Sequence, residues 1–377
     1  MSLPVRLSMG SSKQNQKERW KMNNPRHLMA ALAATFLLSC GSAVHAQSKL
    51  TVGFVTHSQG DSFIQQIIEG AQSAAADLGV VLRVAQQSGS DPDGQLKLVQ
   101  DIVNAGAAGV ATSVPGESMD RSLEDIIDSG VPVVQYNLRG ANLKAPYVGE
   151  RSTESGRILG GMILAKLGGS SAKGKVILGN CFPGLMSLEN RAHGVEDALK
   201  SAPSLKILGP FDVKVSAVEN YNHWEQLYAA NPDAVALIGL CAPDVASLGK
   251  LNAANGDKFI AGGYDLTPQN LAAVQNGHAY VTLGQSAYVQ GYLPVALIVN
   301  AIKTKKPLPD KFFNAGTQVV TKDSVDMGND LPKISFGQLQ VLAKSPSATA
   351  AYYAPWAKTM AGDGALASGQ PMSAEAK

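Results

Sequence analysis

The chain has 377 residues, 45% of them hydrophobic and 16% charged, with a formal net charge of +2. That length exceeds what one hydrophobic core organises, so two domains are expected. The positive charge lies in the first 46 residues, which hold six of the 32 Lys and Arg but one of the 30 Asp and Glu. The remaining 26 basic and 29 acidic side chains leave a net charge of −3, which removes the main support for nucleic-acid binding.

The apolar run 28–38 is too short to span a bilayer and ends in Ser39, Gly41, Ser42 and Ala43. It reads as the core of a signal peptide, residues 1–46, with cleavage after Ala46 and export to the periplasm. The long polar stretch ahead of it makes Met22 the expected start, with Arg26 as its positive charge. An alternative reading takes 37–40 as a lipoprotein signal acylated at Cys40. Beyond the leader, the most apolar stretch, 293–302, is short and contains Pro294 and Asn300, so the mature protein is expected to be soluble.

Next comes an alternation of strand and helix patterns. Strands are expected at 50–56, 80–86, 109–112 and 131–136, with helices at 63–78, 95–105 and 119–129 between them. After a helix at 152–167, a second half repeats the pattern. Its strands are expected at 175–179, 205–211, 234–239, 259–263 and 279–284, and its helices at 187–199, 217–230, 245–254 and 267–275. Strands apolar almost throughout, such as Val131-Pro-Val-Val134, suit parallel sheets covered on both faces. The pattern fades past Ser324, and from Gly362 the chain is rich in Ala, Gly and Ser.

Catalytic and phosphate-binding motifs find no support. Gly169-Ser-Ser-Ala-Lys-Gly-Lys175 has Val176 where a phosphate loop needs Ser or Thr, and it enters a strand instead of leaving one. His57, His193, His223 and His278 lack metal-ligand spacing, and no nucleophile elbow is present. No cofactor, no metal and no enzymatic activity are expected. Cys181 and Cys241 each follow a strand pattern; adjacent strands could bring them into disulfide range, or they could remain separate thiols.

What stands out is a set of polar and aromatic residues just after strands, where open α/β sheets bind ligands. They are His57 to Phe63, Tyr136-Asn137, Arg191 early on a helix, Gly263-Tyr-Asp-Leu-Thr-Pro268, and Gln285. Together they offer the guanidinium, carboxylate, amide and aromatic groups that a hydroxyl-rich ring needs.

With Gly53-Phe-Val-Thr56, Glu69-Gly-Ala-Gln72 and Arg191 ahead of Gly194, these segments resemble the ribose-type, or type I, periplasmic sugar-binding proteins of ABC transporters, over residues 49–323. The resemblance implies an α/β fold of two doubly wound parallel-sheet domains joined by a three-crossing hinge. Crossings would fall near 149–152, 285–286 and 316–318. One domain would comprise 49–150 plus 286–316 and the other 151–285 plus 317–323, which leaves 324–377 as a C-terminal extension, its Ala-, Gly- and Ser-rich end expected from composition to be disordered. It also implies that Asp61 makes a polar ligand contact, Phe63 stacks on the ring and Asn137 binds a hydroxyl. Arg191 and Asp265 would be paired charged contacts, Tyr264 a neighbouring aromatic one and Gln285 a contact beside the hinge. His57 joins them from its place at a strand end. Three departures stand against the family pattern: Arg139 lies one position late, Ile64 replaces an aromatic, and Cys241 stands where Asn or Asp is usual, with Asp244 as a substitute. The implied ligand is a monosaccharide or small polyol, passed by a monomeric protein to an ABC permease with its ATPase. The alternatives are presentation to a chemoreceptor or sensor kinase and, less favoured, an exported sugar-active enzyme.

Overall fold

The computed structural model describes residues 49–60, 62–89, 91–328, 331–362 and 369–375. The expected signal peptide, with Met22 and Cys40, lies outside them, as does Asp61.

The strands fall into two sheets. The first contains β1 (Thr51–Thr56), β2 (Val81–Gln86), β3 (Val110–Thr112), β4 (Val133–Tyr136), β5 (Tyr147–Gly149) and β11 (Phe312–Asn314), in the order β11-β5-β4-β3-β1-β2. Every pairing within it is parallel. The second contains β6 (Gly174–Asn180), β7 (Leu205–Asp212), β8 (Ala234–Gly239), β9 (Ile260–Tyr264), β10 (Val281–Gly284), β12 (Gln318–Thr321) and β13 (Val325–Asp326), in the order β13-β12-β10-β9-β8-β6-β7. Here β12 and β13 add on antiparallel at one edge of a sheet whose other pairings are parallel, so the expected parallel-sheet α/β class holds in both lobes. The chain passes between sheets three times, after β5, after β10 and after β11.

Helices cover both faces of both sheets. Over the first lie α1 (Ser62–Leu78) and α9 (Ala287–Thr304) on one face, and α2 (Pro92–Asn104) and α3 (Asp120–Asp128) on the other. Over the second lie α4 (Ser152–Lys166) and α5 (Met186–Leu199), opposite α6 (Ala217–Ala230), α7 (Asp244–Ala254) and α8 (Pro268–Gln275). Because successive strand residues point to opposite faces, Val52 and Phe54 enter one core while Val55 enters the other. In the second sheet, Val176 and Leu178 face α4 and α5, while Ile177 faces α6 and α7. Two apolar destinations per strand explain the unbroken apolar runs in the sequence.

In each lobe one helix pair meets backbone to backbone through glycine. A Cβ on Gly291 of α9 would lie 1.7 Å from the Ile67 carbonyl oxygen of α1, and one on Gly70 would lie 1.9 Å from that of Tyr288. In the other lobe, α4 and α5 meet at Gly156 and Gly194, where added Cβ atoms would lie 2.2 Å from the Arg191 oxygen and 2.1 Å from the Thr153 oxygen.

Helices α10 (Phe336–Leu342) and α11 (Pro346–Met360) follow the second sheet, and the Tyr353 ring of α11 stacks on Tyr288 at 6.0 Å. Near the end of the described chain, Gln370 exchanges both backbone hydrogen bonds with Phe312 on the β11 edge. Glu375 is buried, and its carboxylate accepts from Nε and Nη2 of Arg139.

Candidate functional site

The strand ends of the two sheets face a common cleft holding a cavity of about 160 Å³. Its walls come from both lobes. His57, Phe63 and Asn137 contribute from the first; Cys181, Phe182, Arg191, Cys241 and Asp265 from the second; Glu150 and Gln285 from the crossings between them.

Backbone geometry aims two of these residues. Asn137 follows β4 with φ 58° and Asp265 follows β9 with φ 70°, both left-handed, a region that Asn and Asp enter more readily than most residues. Ser286, at the second crossing, is left-handed too, with φ 39°. Such strained positions, about 1–3 kcal/mol each for ordinary residues, persist where surrounding bonds over-determine them. Here the Tyr147 hydroxyl donates to the Asn137 carbonyl at 2.8 Å, and Thr282 Oγ1 and Asn270 Nδ2 each donate to the Asp265 carbonyl at 2.9 Å.

The side chains form a relay across the lobes. Asn137 Nδ2 donates to Gln285 Oε1 at 3.2 Å, and Gln285 Nε2 donates to Asp265 Oδ1 at 3.1 Å. Gln290 supports it from α9, accepting from Asn137 Nδ2 at 3.1 Å.

Arg191 is held on several sides. Its Nε donates to Glu150 Oε1, with Nη2 ion-paired to the same oxygen, its Nη1 donates to the Leu240 carbonyl at 2.8 Å, and its guanidinium lies 3.8 Å from the centre of the Tyr264 ring. Both members of the ion pair are buried. Burial pushes the Glu150 carboxyl above its usual range, and the adjacent guanidinium pulls it back. Tyr264, expected beside the ligand, is fully buried beneath Arg191 and does not line the cavity; its hydroxyl lies 3.0 Å from that of Ser155. Burial drives its phenol well above the ordinary value, so it stays neutral.

Cys181 and Cys241 are joined by a disulfide that closes a sequence separation of 60 and forms part of the cavity wall. Behind it, the Asp244 carboxylate accepts from Trp224 Nε1 at 2.8 Å, Asn220 Nδ2 at 2.7 Å and the Cys241 backbone N–H at 2.8 Å. Asp244 therefore braces the Cys241 loop from behind and does not substitute for a ligand contact. Arg139, displaced by one position, turns away to Glu375. His57 lies at the rim, its Nδ1 3.1 Å from Ser113 Oγ.

Six of the contact residues expected from the sequence thus line one cavity, His57, Phe63, Asn137, Arg191, Asp265 and Gln285, together with Cys241, which stands where the family pattern has Asn or Asp. Sequence reasoning passed over Glu150 and Phe182. The signal for Glu150 was present, an acidic residue directly after the short apolar run Tyr147-Val148-Gly149 at a crossing. Phe182, adjacent to Cys181, faces the cavity from the lobe opposite Phe63.

Among proteins of known role, the chain is 22% identical over 294 residues to a xylose/arabinose-binding protein of Sulfolobus acidocaldarius, covering 72% of this chain and 71% of that protein. It is 24% identical over 257 residues to the D-allose-binding periplasmic protein of Escherichia coli, covering 64% and 81%. Among solved structures, a carbohydrate transporter solute-binding protein of Agrobacterium radiobacter in complex with D-arabinose superposes with a TM-score of 0.69 at 23% identity, covering 74% of this chain and 96% of that one. A sequence model described as the periplasmic binding protein domain matches residues 52–306. By fold, by the placing of its cleft and by this match, the chain belongs to the periplasmic binding protein family.

Proposed function

We propose that this protein is the solute-binding component of an ABC transporter, closing its two lobes on a monosaccharide or small polyol and delivering it to a membrane permease. The observation that carries the reading is the Asn137–Gln285–Asp265 relay, which lines a cavity walled by both lobes. Amide and carboxylate groups at one end suit ring hydroxyls, and Phe63 and Phe182 suit the apolar faces of a sugar ring. The relatives described above bind pentoses or hexoses, consistent with this inventory. Lobe closure would bury the ligand, and the closed form would be what the permease engages. The leader would deliver the mature chain to the periplasm.

A thermal-shift screen of pentoses, hexoses, inositols and polyols tests the ligand class, because a tight ligand raises the melting temperature by mass action. For the sugar that gives the largest shift, Asp265→Ala is expected to weaken binding by roughly ten- to a hundredfold in calorimetry, the worth of one charged hydrogen bond of about 1.5–3 kcal/mol. Unchanged affinity would remove Asp265 from the site, and no shift across the panel would remove the sugar assignment.

A further inference from the structure

We infer that Glu150 sets the charge class of the ligand: by taking the Nε and Nη2 edge of Arg191 and balancing its charge, it makes the cleft select an uncharged sugar over the matching sugar acid. The inference rests on the sugar-binding reading above. An arginine facing a small cavity is ordinarily a carboxylate receptor, because its planar fork matches two carboxylate oxygens. Here the Nε and Nη2 edge already converges on Glu150 Oε1, Nη1 is committed to the Leu240 carbonyl, and one guanidinium face lies against Tyr264. Of the five N–H donors of Arg191, one on each terminal nitrogen remains for a ligand, and both belong to a cation whose charge is already balanced by Glu150.

The charge balance points the same way. Among the described residues, the cavity lining carries the carboxylates of Glu150 and Asp265 and one obligate cation, Arg191. A ligand carboxylate would add a third anion beside those two. Arg139, two residues after Asn137, is engaged in the same manner, its Nε and Nη2 donating to Glu375 Oε2. Both guanidinium groups are thus matched by carboxylates of the chain itself. Glu150 lies at the first crossing and Arg191 on α5, so the pairing follows from the meeting of hinge and lobe, not from local sequence.

Calorimetry on the full mature chain at neutral pH tests this with matched pairs: D-glucose and D-glucuronate, D-galactose and D-galacturonate, D-xylose and D-xylonate. For any pair that registers, the wild type is expected to favour the neutral member by at least about a hundredfold. Glu150→Gln keeps an acceptor for Arg191 but removes the charge, and is expected to narrow that ratio by at least about tenfold, mainly through tighter binding of the acid. The double variant Glu150→Gln/Arg191→Gln removes both charges and is expected to restore the neutral preference, because Asp265 remains. A wild type that prefers the acid overturns the inference, whether or not the variants fold. So does an unchanged ratio in a folded Glu150→Gln. Binding to no member of any pair in the wild type instead defeats the sugar-binding reading, and this inference with it.

Discussion

Asp244 carries a fully buried carboxylate whose pKa burial pushes up to about 6, against the pull of donors from Asn220, Trp224 and the Cys241 backbone. In the unfolded chain the group titrates near the ordinary carboxylate value of about 4, so between about pH 4 and 6 the folded state binds more protons than the unfolded one. Its contribution to stability is therefore full below about pH 4 and lost as pH rises through about 6. Asp244→Asn removes the titration. The wild type should consequently gain stability relative to the variant as pH falls from about 6 to 4, measurable by denaturant melts at stepped pH; parallel profiles would contradict the assignment. At this scale the sequence disclosed residue types better than orientations. Arg191, Asp265 and Gln285 could be placed because they follow strands or open a helix. The burial of Tyr264 and the pairing of Glu150 with Arg191 could not, since the one depends on which face of β9 the last residue takes and the other on partners 41 residues apart.

The loops after β6 and β8 form one wall of the cavity, and the Cys181–Cys241 disulfide ties them together. By the chain-entropy account, closing a loop of this length stabilises the fold by about 4 kcal/mol. Cys181→Ser/Cys241→Ser should therefore lower the unfolding free energy by several kcal/mol in denaturant melts and weaken binding of the identified sugar in calorimetry. Full affinity in the double serine variant would show that the two loops hold their geometry unaided. Adjacent β6 and β8 bring both cysteines to the same end of the sheet, a relation consistent with a disulfide in the sequence pattern but not decisive for it. The long alternating elements were legible because the central strands bury both faces and most helices one. Strands β5, β12 and β13 were not: they are two to four residues long, and their pairing depends on partners brought from elsewhere in the chain.

Across the whole molecule, the end of the described chain touches several parts at once. Gln370 pairs with the β11 edge and its side chain accepts from Arg151 Nη2 at 2.7 Å, while Glu375 engages Arg139 in the first lobe. Deleting 369–377 would leave Arg139, whose side chain is 18% exposed, without its carboxylate and uncover the β11 edge. We expect a loss of at least about 1 kcal/mol, a fall in Tm of roughly 2–4 °C by calorimetry; an unchanged Tm would show that these contacts carry no net stability. The glycine contacts reach further. Gly291 and Gly156 are each the fifth residue of their helix, and Gly70 and Gly194 each the ninth of theirs. The lobes are thus two castings of one mould, matched in helix register. Laid over one another, the sixth residues coincide, Ile67 in α1 and Arg191 in α5. In one casting that place is ordinary core; in the other it holds the cation around which the binding chemistry is arranged.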